Sequence, residues 1–414
     1  MEPWRKTMYA VAAAQFIALG GGNLVFPFMP FYVEELGITD KSQIALWSGL
    51  LGTATGAMLF IFSPIWGSLA DRYGRKPLLL RAYIGAMITM SLQGAVQEVW
   101  QLLALRALQG AFVGTIPAAT ALVASKTPRA HVGYALGVLQ MGLFLSQFAG
   151  PLVGGSLAAT IGIRPTFWFT AGFYLVSFFL VYTQVDEEFE RPKVEDRTGF
   201  VDNLRLVASI RPLLALIGIV FLLNTGPPFV RPVIPILVDS FDSSLSAESL
   251  SGIAFAALAA TSAVAALASS RLSQLAGYRN ALALVTLAAG LAYLPVAMAN
   301  NVPSLIVFIG IVGLFSGAMI PTVNTLIDAW APPGRQASVF GLVGSAMALA
   351  FAVAPLTGGA VASAWGVDTS FIVIGGLTIA VSGAIFLFVR GPGEAPVPSA
   401  EGLEPAEAAG GPGE

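Results

Sequence analysis

Apolar residues fall along this chain in twelve long blocks, each bounded by charged or turn-forming residues: 8–33, 46–69, 78–96, 100–125, 131–158, 166–183, 212–238, 249–271, 280–298, 303–330, 336–362 and 369–389. A helix needs about 20 apolar residues to cross the hydrocarbon of a bilayer, and a spanning segment must pair its backbone groups internally. The pattern therefore predicts an all-α membrane protein of twelve transmembrane helices. Between residues 280 and 327 there is no charge at all, and only Asn300-Asn301-Val302-Pro303, a turn signal, parts the ninth block from the tenth. The first block exceeds the ~7–15-residue apolar core of a cleaved signal, so it reads as a retained membrane helix.

The blocks repeat. Pro117, Pro128, Gly137, Pro151, Gly154, Gly155, Gly162, Phe167 and Gly172 recur 204 residues later as Pro321, Pro332, Gly341, Pro355, Gly358, Gly359, Gly366, Phe371 and Gly376. Leu69 and Gly74 match Leu272 and Gly277, and Pro27-x-x-Pro30 matches Pro232-x-x-Pro235. Nine matches in one register imply duplication, hence two six-helix halves related by a pseudo-two-fold axis along the membrane normal. The expected division is a first half over 1–184, a polar linker over 185–211 and a second half over 212–390. A Gly/Pro/Ala/Glu tail over 391–414 has too little apolar surface to fold.

Charge orients the blocks. If the N-terminus is cytoplasmic, 17 of the 21 basic residues fall on the cytoplasmic side, as membrane topology favours. Lys41 and Arg164 lie outside, and Arg106 and Arg231 fall within predicted helices. Both termini are then cytoplasmic. Composition agrees: 56% of residues are hydrophobic and 11% charged, against about 25% charged in soluble domains. With no cysteine and His131 as the one histidine, no metal site or cofactor is expected. A net charge of −2 gives no reason for a nucleic-acid partner. None of the five lysines follows a glycine, so a phosphate-binding Gly-Lys-Ser/Thr loop is missing, and no cluster of nucleophile, base and metal ligands suggests an enzyme.

Three motifs carry chemistry. After the second block comes Gly67-Ser-Leu-Ala-Asp71-Arg72-Tyr-Gly74-Arg75-Lys76: glycine for close helix approach, an aspartate able to face a positive helix end, and basic residues that hold a loop in the cytoplasm. The fourth block carries Leu103-x-x-Arg106-x-x-Gln109-Gly110, and an arginine inside a membrane segment costs about 2.5–3.5 kcal/mol on insertion scales. It either serves a function or snorkels to the interface. The fifth carries Gly150-Pro151-x-x-Gly154-Gly155, in which Pro151 removes one backbone donor and the glycines admit a close neighbour.

Together these resemble the major facilitator superfamily, and within it the drug:proton antiporters of the bacterial multidrug efflux branch, over about residues 5–390. The resemblance implies secondary active export of small amphipathic compounds by alternating access, in exchange for protons, by a single chain in the inner membrane. It makes Gly67, Asp71, Arg72, Gly74, Arg75 and Lys76 a conformational latch, Gly150, Pro151, Gly154 and Gly155 the antiporter motif, and Arg106 a residue of proton coupling. It also puts the substrate among helices one, four, seven and ten, where Gln15, Asn23, Phe26, Phe112, Asn224, Phe229, Arg231 and Asn324 are the candidate lining. A mostly apolar wall with a few amides suits amphipathic compounds better than sugars.

The sequence departs from the pattern in its acids. The first helix holds no carboxylate except Glu34 and Glu35 at its outer mouth, so Glu34 is one candidate proton site. Asp328, near the inner end of the tenth helix, either carries protons or pairs with Arg271 or Arg279. Arg231 either reaches Glu34, Glu35 or Asp239 at the outer face, or lines the cavity. In the latter case Arg106 and Arg231 could clamp an organic or phosphorylated anion, which is the rival reading of the function.

Overall fold

The computed structural model describes residues 2–187, 210–241, 243–331 and 336–389. Most of the expected linker, all of the expected tail and the side chain of Asp71 lie outside the described residues. The first half comprises α1 (Pro3–Leu24), α2 (Met29–Glu35), α3 (Lys41–Tyr73), α4 (Arg75–Gln93), α5 (Val99–Phe112), α6 (Thr115–Lys126), α7 (Val132–Ile161) and α8 (Ile163–Gln184). The second comprises α9 (Arg211–Leu223), α10 (Gly226–Val230), α11 (Ile234–Asp239), α12 (Ala247–Ala276), α13 (Tyr278–Val296), α14 (Val302–Ser316), α15 (Met319–Trp330), α16 (Gln336–Trp365) and α17 (Val367–Phe388).

Among the described residues, ten spans are long and apolar enough to cross a membrane, and the bent pair α1–α2 makes an eleventh. The remaining predicted block is α4, whose apolarity is lowered by Lys76 and Arg81 and which packs against α5 and α8. Only 28% of the most apolar window of the Arg129–Ile161 span is buried, so most of its side chains face outward, as a helix in lipid requires.

Four predicted blocks are not continuous helices. The first breaks at residues 25–28 with a 47° bend, where Pro27 has no N–H to donate. The fourth breaks at Val113-Gly114, with Gly114 at φ +132°, a conformation that favours glycine. The seventh breaks around Asn224-Thr225 and again near Arg231-Pro232, and the tenth at Gly317-Ala318. The broken spans are the first, fourth, seventh and tenth, one in every three. The helical breaks thus repeat with the duplication.

Among the described residues, the helices of the two halves pack together at one end and diverge toward the other. Along the chain the spans alternate between an end bearing Lys41, Arg164 and Asp239 (the far end) and an end bearing residues 72–76 (the basic end). At the far end, α3 packs against α16 and α7 against α12. The buried apolar cluster runs continuously through both halves there, from Val33 and Ala45 to Val238 and Leu250, whereas Leu213, Leu326 and Val339 of the second half form a separate core. Toward the basic end the same four helices diverge. Gly67 of α3, Gly133 and Gly137 of α7, and Gly341 and Gly344 of α16 have no neighbour within 4 Å of where a Cβ would stand, and Leu267 and Leu275 of α12 are 83% and 87% exposed.

Candidate functional site

The far-end seal is built twice from the same motif. In α7, a Cβ on Gly154 would collide with the Leu24 carbonyl of α1, and one on Gly155 with the Glu248 carbonyl of α12. In α16, a Cβ on Gly358 would collide with the Phe229 carbonyl of α10, and one on Gly359 with the Ala45 carbonyl of α3. Each Gly-Gly pair thus rests with one glycine on a broken helix of its own half and with the other on the opposite half. Pro151 and Pro355 complete the symmetry, since their carbonyls abut Gly252 and Gly49. One polar link crosses here, the Leu356 N–H donating to Thr53 Oγ1 at 3.1 Å. The exposed Lys41–Asp239 pair at 3.2 Å also crosses, but such pairs contribute about 0–1 kcal/mol. Backbone packing, not charge, closes this end.

Just inside the seal lies Arg231, between α10 and α11. Its guanidinium stands 4.3 Å from the Phe26 ring centroid, at the break of the first span, and 5.2 Å from that of Phe351 in α16. The outer-mouth partners considered from sequence are otherwise placed: Asp239 bonds Lys41, Glu35 bonds Arg164 at 2.7 Å, and Glu34 is exposed. Of the two readings left open by the sequence, contact with Phe26 and Phe351, rings from both halves, is the one found, not an ion pair with the outer acids.

Arg106 is elsewhere, 6% exposed inside the first half. Its Nη1 donates to Gln109 Oε1 at 3.4 Å and its Nη2 to the Met29 sulfur at 3.5 Å. Gln93 donates to the same Gln109 oxygen, and the Tyr32 hydroxyl donates to the Gln93 carbonyl at 2.6 Å. The bonded network therefore holds two amides, a thioether and a tyrosine, and no carboxylate among the described residues. Arg106 and Arg231 have no partner in common: the first is held by Gln109 and Met29, the second by Phe26 and Phe351.

The other candidate residues separate into two groups. Gln15 is fully buried and doubly bonded to Thr115, through Nε2 to the backbone carbonyl at 3.2 Å and from Thr115 Oγ1 at 3.1 Å. It fastens α1 to the break in the fourth span instead of lining a cavity. Asn23 Nδ2 donates to the Ser146 carbonyl at 3.4 Å, Asn224 to the Val220 carbonyl at 2.9 Å, and Phe229 is buried with its carbonyl on Gly358. Phe112 packs where a Cβ on Gly85 would stand. Gln15 and Phe229 are buried, whereas Asn23, Phe26, Phe112, Asn224, Arg231 and Asn324 keep part of their surface open. Asp328 is exposed at the basic end. Arg279 donates instead to the Phe386 carbonyl, and no ion pair joins Asp328 to Arg271 or Arg279 among the described residues.

Over residues 67–76, where Gly74 alone separates α3 from α4, an unexpected acid appears. The backbone N–H groups of Arg75 and Lys76 open α4 and donate to Glu187 Oε1 and Oε2 at 2.9 and 2.7 Å. A carboxylate at a helix N-terminus satisfies orphan donors and the helix dipole together. The Lys76 ammonium donates to the Tyr182 and Val185 carbonyls. Sequence spacing gives no signal for this contact, because residues 75 and 187 are brought together only by α4 packing on α8.

The family model described as Major Facilitator Superfamily matches residues 11–298 and 216–410. The chain belongs to the major facilitator superfamily. It is 33% identical over 371 residues to the Multidrug resistance protein MdtG of Serratia proteamaculans, covering 89% of this chain and 90% of that one. It is 34% identical over 383 residues to the MdtG of Citrobacter koseri, covering 91% and 93%. Among solved structures, nucleoside transporter NupG aligns with a TM-score of 0.77 at 12% identity, covering 94% and 99%. A bacterial homologue of the human lysosomal transporter Spinster, inward-facing and unoccupied, aligns with 0.76 at 15%, covering 94% and 97%. Both likenesses bear on the fold alone, and agree with a twelve-helix layout in two halves.

Proposed function

We propose that this protein exports small amphipathic compounds from the cytoplasm by alternating access, in exchange for protons, with its basic end cytoplasmic. The observation that carries the reading is the pair of equivalent glycine bearings that close the far end while the same four helices stand apart at the basic end. A symmetric contact of that kind can open only by rotation of one half against the other, which exposes the space between the halves to the opposite side. The MdtG relatives supply the substrate class, multidrug resistance. Phe26, Phe351 and Arg231 give that space aromatic walls and one fixed positive charge.

Proton coupling is assigned to Arg106 and its amide network, with Glu34 and Asp328 as the acids at either end of the path. Arg106→Ala should abolish proton-driven efflux yet leave the protein inserted, because Gln93 and Gln109 still bond each other. Unchanged drug-stimulated proton flux in both Arg106→Ala and Glu34→Gln would remove them from the coupling path.

Orientation and function are tested separately. Single cysteines in place of Arg197 or Ser399 should react with an impermeant reagent only from the cytoplasmic side, and one in place of Lys41 only from outside. Outward reaction at Arg197 would reverse the parity of both halves. For function, purified protein in vesicles should move a lipophilic dye only when a pH gradient is imposed. Dye movement indifferent to pH, or exchange of a phosphorylated anion, would overturn the antiport reading.

A further inference from the structure

A second charged site lies at the basic end of the first half, between α3, α4 and α6. Trp66 of α3 donates its indole N–H to the Ala111 carbonyl at 2.6 Å, which fixes the ring between α3 and the end of α5. The Arg81 guanidinium lies over that ring, 3.4 Å from its centroid. Arg81 stands six residues into α4 from Arg75, about 9 Å below the helix start. Its Nε and Nη1 are buried without any hydrogen-bond partner. No ion pair involving Arg75 or Arg81 occurs among the described residues. Both arginines line a cavity of about 230 Å³, together with Ser63 and Trp66 of α3, Gly114, and Pro117 and Ala118 of α6.

A half-buried guanidinium with two enclosed nitrogens and no counter-charge among the described residues keeps much of its field, and inside a membrane protein such a charge is expensive unless something answers it. Stacking on Trp66 occupies the face of the guanidinium and leaves its in-plane donors for an oxyanion. The surroundings select which oxyanion. Ile61, Ile65 and Ile116, which neighbour the lining in sequence, are 54%, 44% and 43% exposed, an apolar surface fit for acyl chains beside two cations. Basic pockets between membrane helices at this depth suit lipid headgroups.

We propose that this cavity binds a phosphate group, the headgroup phosphodiester of an anionic phospholipid, with Arg81 and Arg75 as its cationic ligands and Trp66 as the platform that holds Arg81. The site does not depend on the transported compound. A lipid seated there bridges α3, α4 and α6, and so rigidifies the first half where it stands apart from the second.

The test is native mass spectrometry of the full chain in detergent, titrated in parallel with phosphatidylglycerol, phosphatidylcholine and inorganic phosphate. Wild type should retain one phosphatidylglycerol at least about tenfold more tightly than phosphatidylcholine, as expected for two basic contacts. Arg81→Gln should lose that preference and Arg81→Lys should keep part of it, while Arg129→Gln, at an exposed loop position, should bind as wild type does. Ala118→Glu keeps Arg81 but places an acid in the cavity, and should also abolish retention. It therefore decides the matter even if Arg81→Gln does not fold. Equal retention of both lipids by wild type, or undiminished preference in Ala118→Glu, would overturn the proposal. Displacement of the lipid by millimolar phosphate, with phosphate itself bound, would overturn the lipid assignment in favour of a free anion.

Discussion

Gly155→Val is expected to open the far end of the protein and abolish transport. A Cβ at residue 155 would run into the Glu248 carbonyl, and the neighbouring α7–α12 contact is equally tight at Gly252 against Pro151. Backbone cannot rotate away as a side chain can, so the halves must part. Overpacking costs typically ~1–3 kcal/mol, about five- to 150-fold in the balance between a far-end-closed and a far-end-open state. That exceeds what the exposed Lys41–Asp239 pair can oppose. Gly359→Val, the equivalent change against the Ala45 carbonyl, should act in the same direction. Gly137→Val on the same helix as Gly155 is the control, because nothing lies within 4 Å of its Cβ position. Reaction of a far-end cysteine with an impermeant maleimide measures the shift, and the chain has no native cysteine to confuse it. Equal labelling of Gly155→Val and Gly137→Val would show that the glycine bearing is not the seal.

Arg231→Gln should invert the charge preference of the binding site. The guanidinium, held by Phe26 and Phe351 with its expected acids bonded elsewhere or exposed, is a positive charge in a low-dielectric setting where Coulomb terms are magnified. Wild type should therefore disfavour lipophilic cations and favour neutral or acidic amphiphiles. Removing the charge should tighten a cationic dye and weaken an anionic compound, each by about tenfold, the effect of one charge-assisted contact. Dissociation constants for one ligand of each sign, in wild type and Arg231→Gln, decide it. Shifts of equal sign and size would reject a charge-selective role.

Much of the architecture is legible in the sequence because a bilayer leaves few choices. Twelve apolar blocks and the 204-residue repeat predict the helices and the two halves, and the repeated proline and glycine positions recur as paired contacts across the seal. The four broken spans are less legible. Pro27, Gly114, Asn224-Thr225 and Gly317 are all visible signals, yet apolar runs hide a break when neighbouring helices supply the missing backbone partners. Side-chain destinations were the least legible. Gln15 looks like a cavity amide until Thr115, one hundred residues on, takes both its donor and its acceptor. Sequence leaves Arg231 open between the outer acids and the cavity, because both lie near its end of the span, and only the folded chain shows that Lys41 and Arg164 hold two of those acids. Glu187 capping α4 and Arg81 stacked on Trp66 depend on which helix packs on which, and no local pattern encodes that.

Rocking of one half against the other about a far-end seal is tested most directly by two spin-label distances in the same protein. One pair, Gln43 and Ser243 replaced by labelled cysteines, spans the halves at the far end; the other, Ala130 and Gln274, spans them at the basic end. All four positions are exposed. Adding a transported compound or shifting the pH should lengthen the first distance while the second shortens, each change reversing with the condition. Distances that both stay fixed while transport proceeds, or that lengthen together, would contradict alternating access by rigid rotation of the two halves.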